Sequence, residues 1–195
     1  MEVKIQKRII DYFSHFEEFH NTARACLNDC QNCAASLNKL IKRCKNVKEA
    51  VVTNTPLEEF VDLQSKLCAS LHNLISEEIQ EIRNKLQTLE DSFEKLCHKN
   101  SVLRETIKEI DFDETSALVK GSPLQPPLNQ LLEFLDDTVT FGSQVCAQLE
   151  TSIKVYTYRE LNTESLVDNL RINTSWQRRV AEIISYTSFI SENKI

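Results

Sequence analysis

Cysteine is concentrated in one short stretch. Residues 26–40 read CLNDCQNCAASLNKL, which places Cys26, Cys30 and Cys33 within eight residues of a chain that has seven cysteines in 195. Thiolates are the side chains that hold zinc or cycle through disulfides, and on a helix these three point the same way. Zinc asks for a fourth ligand and normally a loop that wraps the ion. No second CxxC and no HxxxH pair accompanies the cluster. An odd number of cysteines behind the start MEVKIQKRII, which has no apolar run of a signal peptide, predicts reduced thiols in an intracellular protein. What remains for the cluster is packing: cysteine serves well as a small buried hydrophobe.

Other reactive constellations are missing. His20 lies on an apolar row and reads as an interface histidine, while His15, His72 and His98 have no partner at a meaningful spacing. The carboxylate pairs Glu17/Glu18, Glu77/Glu78 and Asp136/Asp137 are sequence neighbours, which on a helix point about 100° apart and do not converge. There is no GxxxxGK[ST], GxGxxG or GxSxG. The sequence therefore predicts no catalytic, cofactor-binding or metal-ligating residue, and no cofactor. The stretch KLIKRCKNVK carries Lys39, Lys42, Arg43, Lys45 and Lys48 with no acidic residue between them. It reads first as the basic C-terminus of a helix complementing the macrodipole. A sharper reading is a patch for RNA or an acidic partner, though the aromatics that stack on bases are absent.

These residues must be positioned by helices. The chain has only 2 Gly and 4 Pro, too few for the many turns of a sheet protein. At 41% hydrophobic and 27% charged it reads as one soluble globular domain, residues 1–195. A net charge of −6 argues against a general nucleic-acid binder, and no apolar run is long enough to span a membrane.

A first helix, about residues 5–48, has three adjacent apolar heptad rows; one is Ile9, Phe16, Ala23, Cys30, Leu37, Cys44. Cys26, Cys30, Cys33 and Cys44 all fall on that broad face, as core-filling thiols would. Thr55-Pro56 with Glu58 signals the start of a second helix, about residues 56–110. Its first half is broadly apolar, with Phe60, Leu67 and Leu74 in one row and Val61, Cys68 and Ile75 in the next. Its second half narrows to a seam of 4,3 spacing through Leu86, Leu89, Phe93, Leu96, Asn100, Leu103, Ile107 and Ile110, flanked by polar residues. A Pro-rich connection spans residues 111–127, a third helix about 128–159, and a last one about 175–191, opened by Thr174 with Gln177 as a capping box. The stretch RELNTESLVDNL between them reads as a short helical turn.

Taken together, CLNDCQNCAASLNKL, FVDLQSKL, EIRNKLQTLEDSFEKL, PPLNQLLEFLDD and the helix around Trp176 resemble, in order and spacing, the AIRIM family of AAA-ATPase-interacting ribosome maturation factors. The resemblance implies a non-enzymatic adaptor subunit. Its implied partners are a AAA ATPase of the valosin-containing-protein class, a second small helical subunit of the CINP type, and pre-60S particles. It implies work in the cytoplasm and nucleus. This chain carries more cysteines along its first helix than the family pattern suggests.

The expected fold is all-α: an elongated, coiled-coil-like bundle of two long antiparallel helices with two shorter ones packed on them. The expected function is maturation of the large ribosomal subunit through helix-mediated protein binding, with no membrane or small-molecule substrate involved. The alternative is a coiled-coil scaffold of a kinetochore or tethering assembly. From the narrowness of the seam, the partner interface is expected at Leu86, Leu89, Phe93 and Leu96 of the second helix and at Ile5 and Ile9 of the first.

Overall fold

The structure, a computed structural model, describes residues 2–109, 116–123, 125–158 and 170–192. Among these residues the chain is all-α. Helix α1 spans Glu2–Glu49, α2 Leu63–Ile107, α3 Ala117–Lys120, α4 Leu128–Tyr158 and α5 Thr174–Glu192, with a 3₁₀ turn at Pro56–Glu59 between α1 and α2. The helical turn expected over 159–170 falls, except for Leu170, outside the described residues.

Two helix starts differ from the sequence reading. At Thr55 the hydroxyl accepts from the N–H of Leu57 (3.3 Å) and donates to the carbonyl of Val52 (2.6 Å). The Glu58 carboxylate, however, accepts from the N–H of Asn54 (2.8 Å) rather than closing a box on Thr55. The turn that follows is 3₁₀ and does not continue. Phe60 is extended and Asp62 sits at φ 63°, a left-handed conformation that aspartate tolerates and a helix does not. The second long helix therefore begins at Leu63, and Phe60 and Val61 lie outside it. At α5 the cap is Asn173, one residue earlier than expected: its side-chain oxygen accepts from the N–H of Ser175 at 2.9 Å.

The long connection contains structure of its own. Ser116 caps α3 through Val119 N–H (3.2 Å), Gly121 takes φ 80°, and Ser122 and Gln125 exchange backbone hydrogen bonds at 2.8 and 3.1 Å. Leu118 and Pro126 are buried, so this segment is tied to the bundle at both of those points.

The chain divides into two compact units, to which α1, α2 and α4 each contribute. Unit 1 comprises Met1–Ala25, Thr88–Ala147 and Ile172–Ile195; unit 2 comprises Cys26–Gln87 and Gln148–Arg171.

Unit 1 is a four-helix arrangement in up-down-up-down order. Asp11 pairs with Lys99, and Phe19 packs on Phe93, so α1 and α2 run antiparallel there. Tyr12 meets Thr138 while Phe19 meets Phe141, so α4 runs parallel to α1. Trp176 meets Phe141 and Tyr186 meets Phe134, so α5 returns antiparallel to α4. Its core is aromatic: Phe141 lies 5.9–6.3 Å, centroid to centroid, from Phe16, Phe19, His20 and Trp176. Gly142 is what admits Phe93 to this cluster. A Cβ at that position would overlap the Phe93 ring and stand 3.3 Å from Phe19.

Unit 2 is held differently. Lys85 reaches Asp29 at 3.0 Å, Ser36 donates to Glu78 at 2.6 Å, and the Gln64 amide donates to the carbonyls of Val47 (3.0 Å) and Ala50 (2.6 Å). These contacts make α1 and α2 an antiparallel hairpin, with Gln64 satisfying carbonyls that the end of α1 leaves without intrahelical partners. The core residues of α1 here are small or medium-sized: Cys26, Leu27, Cys30, Ala34, Leu37 and Cys44. Leu71 and Ile82 of α2, Leu149 of α4 and Leu170 are other buried apolar residues of this unit.

Candidate functional site

The thiols sit where core residues sit. Cys26, Cys30 and Cys44 are buried and Cys33 is half-buried; all seven cysteines are free. Burial is the main force on each shifted thiol. It pushes Cys30 up to about 12, helped by its neighbours Cys33 and Cys26. Cys33 rises to about 11, first by burial and then because its thiol is hydrogen-bonded to the Glu78 carboxylate. Cys26 is also raised by burial, against the opposing pull of Lys85. Metal binding and nucleophilic attack both need thiolate, and these surroundings suppress it. Among the described residues no group of three or more His, Cys, Asp or Glu side chains is placed to hold a metal ion.

The seam residues named as an interface pack on the chain's own helices. Ile5, Ile9, Leu89 and Leu96 are buried in the core of unit 1, and Leu86 and Phe93 are half-buried. Phe93 lies against Phe19 (5.8 Å) and Gly142. A partner using these side chains would have to displace the intramolecular core. The physical reason is that α1 and α4 pack on this side of α2: Phe93 meets Phe19 and Gly142, Lys99 pairs with Asp11 and Arg104 with Asp136. Asn100 is likewise interior, its side-chain oxygen accepting from Arg104 Nε at 2.9 Å.

The basic residues Lys39, Lys42, Arg43, Lys45 and Lys48 are all exposed. At about 100° per residue they point in well-separated directions around the last turns of α1, forming a collar rather than one face. Lys45 pairs with Glu49 at 3.8 Å. Lys48 stands in the last turn, where positive charge suits the helix dipole.

Sequence reasoning missed the apolar surface on unit 2. Phe60, Leu67 and Leu74, which share one apolar row in the sequence, are 61%, 45% and 42% exposed. Val51, Leu57 and Val61 in the hairpin turn are exposed as well. The signal was present in VVTNTPLEEFVD, where apolar residues are interleaved with turn formers over a segment too short to fold back on them. Beside Leu74, a groove of about 500 Å³ runs between α1 and α2, lined by Ser36, Leu40, Leu74, Glu77, Glu78 and Glu81. What this arrangement offers chemically is apolar contact area with carboxylates beside it, and no activated group. Among the described residues, no helix is long and apolar enough to cross a membrane.

Against known proteins, residues 3–189 match a family model described as "Ribosome biogenesis protein C1orf109-like". A relative from Xenopus tropicalis, named AFG2-interacting ribosome maturation factor, is 26% identical over 139 residues, covering 69% of this chain and 67% of the relative. No solved structure matches the chain.

Proposed function

Because the chain belongs to the C1orf109-like family of ribosome biogenesis proteins, we propose that it is a non-enzymatic adaptor that couples a AAA ATPase to maturation of the 60S ribosomal subunit. The observation that carries this reading is the family match across residues 3–189, together with the name of the frog relative, which records both a AFG2 interaction and ribosome maturation. The ATPase is of the valosin-containing-protein class, and a second small helical subunit of the CINP type completes the assembly. Its work lies on pre-60S particles in the cytoplasm and nucleus. The ATPase supplies the chemistry; this chain supplies helical surface. Two physical features support a binding role: thiols held protonated by burial, and apolar side chains left uncovered on a folded hairpin.

Reconstitution tests the proposal. The purified chain, mixed with a purified AFG2-class ATPase, is expected to co-elute with it and to leave the chain itself without ATP hydrolysis. Cells depleted of the chain are expected to accumulate pre-60S particles that retain their shuttling factors. Failure to bind the ATPase with and without the helical co-subunit, combined with normal 60S maturation on depletion, overturns it.

A further inference from the structure

We infer that the groove between α1 and α2 in unit 2 is a docking site for one helix of a partner protein, apolar along one stripe and carrying lysine or arginine beside it. The assignment rests on the groove's own chemistry and does not depend on the partner belonging to an ATPase assembly.

Three observations define the occupant. Leu40 of α1 and Leu74 of α2 form the apolar floor, and Leu67, one heptad before Leu74, extends it toward the hairpin turn. Residues seven apart lie on one side of a helix, so the exposed leucines present a stripe parallel to the hairpin. A third helix laid along two antiparallel ones would bury that stripe as in any small bundle, the helix-in-groove mode of recognition.

The charged groups lining the groove are all acidic. Glu78 is turned inward onto Ser36 at 2.6 Å, and Glu81 shares Lys85 with Asp29 at 3.4 and 3.0 Å. Glu77 makes no ion pair among the described residues. A flanking cation on the incoming helix meets Glu77 first and Glu81 next, at the partly desolvated edge of an apolar contact, where steering and specificity are gained.

The same carboxylates exclude the other occupants. A two-fold dimer would set the groove of one copy against that of the next, placing one acidic lining against another on chains that each carry a net charge of −6. Anionic lipid and nucleic acid meet the same repulsion.

The test uses the full chain and a synthetic amphipathic helix of about four heptads, with Leu at the a and d positions and Lys at e and g. Its counterpart carries Glu in place of every Lys. Fluorescence anisotropy is expected to show the Lys helix binding at least about tenfold more tightly than the Glu helix, with the difference shrinking as salt rises. Leu74→Asp, at an exposed site and checked for folding by circular dichroism, is expected to abolish binding. Glu77→Lys is expected to narrow or reverse the preference between the two helices. Equal binding of both helices, no binding of either, or binding unchanged in Leu74→Asp overturns the inference. Sedimentation of the chain alone supplies the remaining outcome: a dimer that Leu74→Asp dissociates would make a second copy the occupant and overturn it too.

Discussion

Helix α2 passes through two environments that treat its leucines in opposite ways. In unit 1, Leu89, Leu96 and Leu103 are buried to within 1% of complete, each covered by helices of the same chain. In unit 2, Leu67 and Leu74 lie nearly half exposed on the same helix, and of that stretch only Leu71 and Ile82 are buried. The α1 residues facing them differ just as much. Tyr12, Phe16 and Phe19 fill unit 1, whereas Cys30, Ala34 and Leu37 occupy the equivalent stripe in unit 2. Large rings need neighbours on several sides, and four helices supply them. Small thiols and alanine let two helices approach closely but leave the outer rows of each without a lid. The difference teaches that the chain covers the apolar rows of unit 1 for itself and leaves part of those of unit 2 exposed.

The largest effect that should separate them is truncation in the aromatic core. Phe16 is fully buried against Phe141 at 6.3 Å. Phe16→Ala is expected to destabilise the chain by about 3–5 kcal/mol in chemical denaturation. A loss below about 1 kcal/mol would mean that unit 1 is not the tightly packed half. Next comes Gly142→Ala, where helix propensity favours alanine by about 1 kcal/mol. The new Cβ runs into the Phe93 ring. Overpacking of a close-packed core costs about 1–3 kcal/mol, so the net change is expected to be destabilising, and a rise in Tm would show that Phe93 moves aside freely.

A smaller effect belongs to the buried polar pair of unit 1. Thr138 donates its proton to the carbonyl of Leu135 at 2.9 Å, so it is Tyr12 that donates to Thr138 across 2.7 Å. Burial holds the Tyr12 phenol protonated well above its usual range, keeping it a donor. Tyr12→Phe is expected to cost about 1 kcal/mol with the fold intact. His20 gives a pH signature to the same unit. Burial, and then Arg24, lowers its pKa below 6.5. The unfolded chain therefore binds the proton more readily than the folded one, so stability is full above about pH 6.5 and falls as the pH drops through the window below it. His20→Phe is expected to flatten that part of a Tm-versus-pH curve; an unchanged slope would place the acid sensitivity in other groups.

Much of this architecture was legible in the residues. The scarcity of Gly and Pro announced helices, and the three-row face of α1 announced a wide interface. The cysteines on that face read correctly as packing groups because every one fell on the heptad rows. What could not be read was which rows the chain would cover for itself. A narrow seam looks like a coiled-coil surface awaiting a partner, yet Leu89 and Leu96 are buried within the chain itself, and Phe93 between them packs on Phe19 of α1 and Gly142 of α4. The broadly apolar half of α2 is the reverse case, with Leu67 and Leu74 left exposed. Periodicity gives the width of an apolar face, not the identity of whatever lies on it. Local chemistry set the other limit: Thr55, Pro56 and Glu58 pointed to a helix, while Asp62 adopting a left-handed φ broke it and left Phe60 and Val61 in the turn. Of the candidate surface, the acidic residues were visible in sequence, but their meeting with Leu40 across the hairpin needed the register of α1 on α2.

The smallest expected effect is the sharpest test of the contrast. Replacing Leu67 and Leu74 together by Ser removes two large apolar side chains, a change that in unit 1 would unfold the protein. In unit 2 both are already nearly half exposed, so much less transfer free energy is lost than in the core. Exposed positions away from caps and ion pairs usually tolerate substitution within about 0.5 kcal/mol each. Denaturation at low protein concentration is therefore expected to give nearly the wild-type midpoint, with improved solubility. Should the double variant instead lose about 3 kcal/mol or more, comparable to core truncation, those leucines are covered in solution, and the contrast between the two units fails.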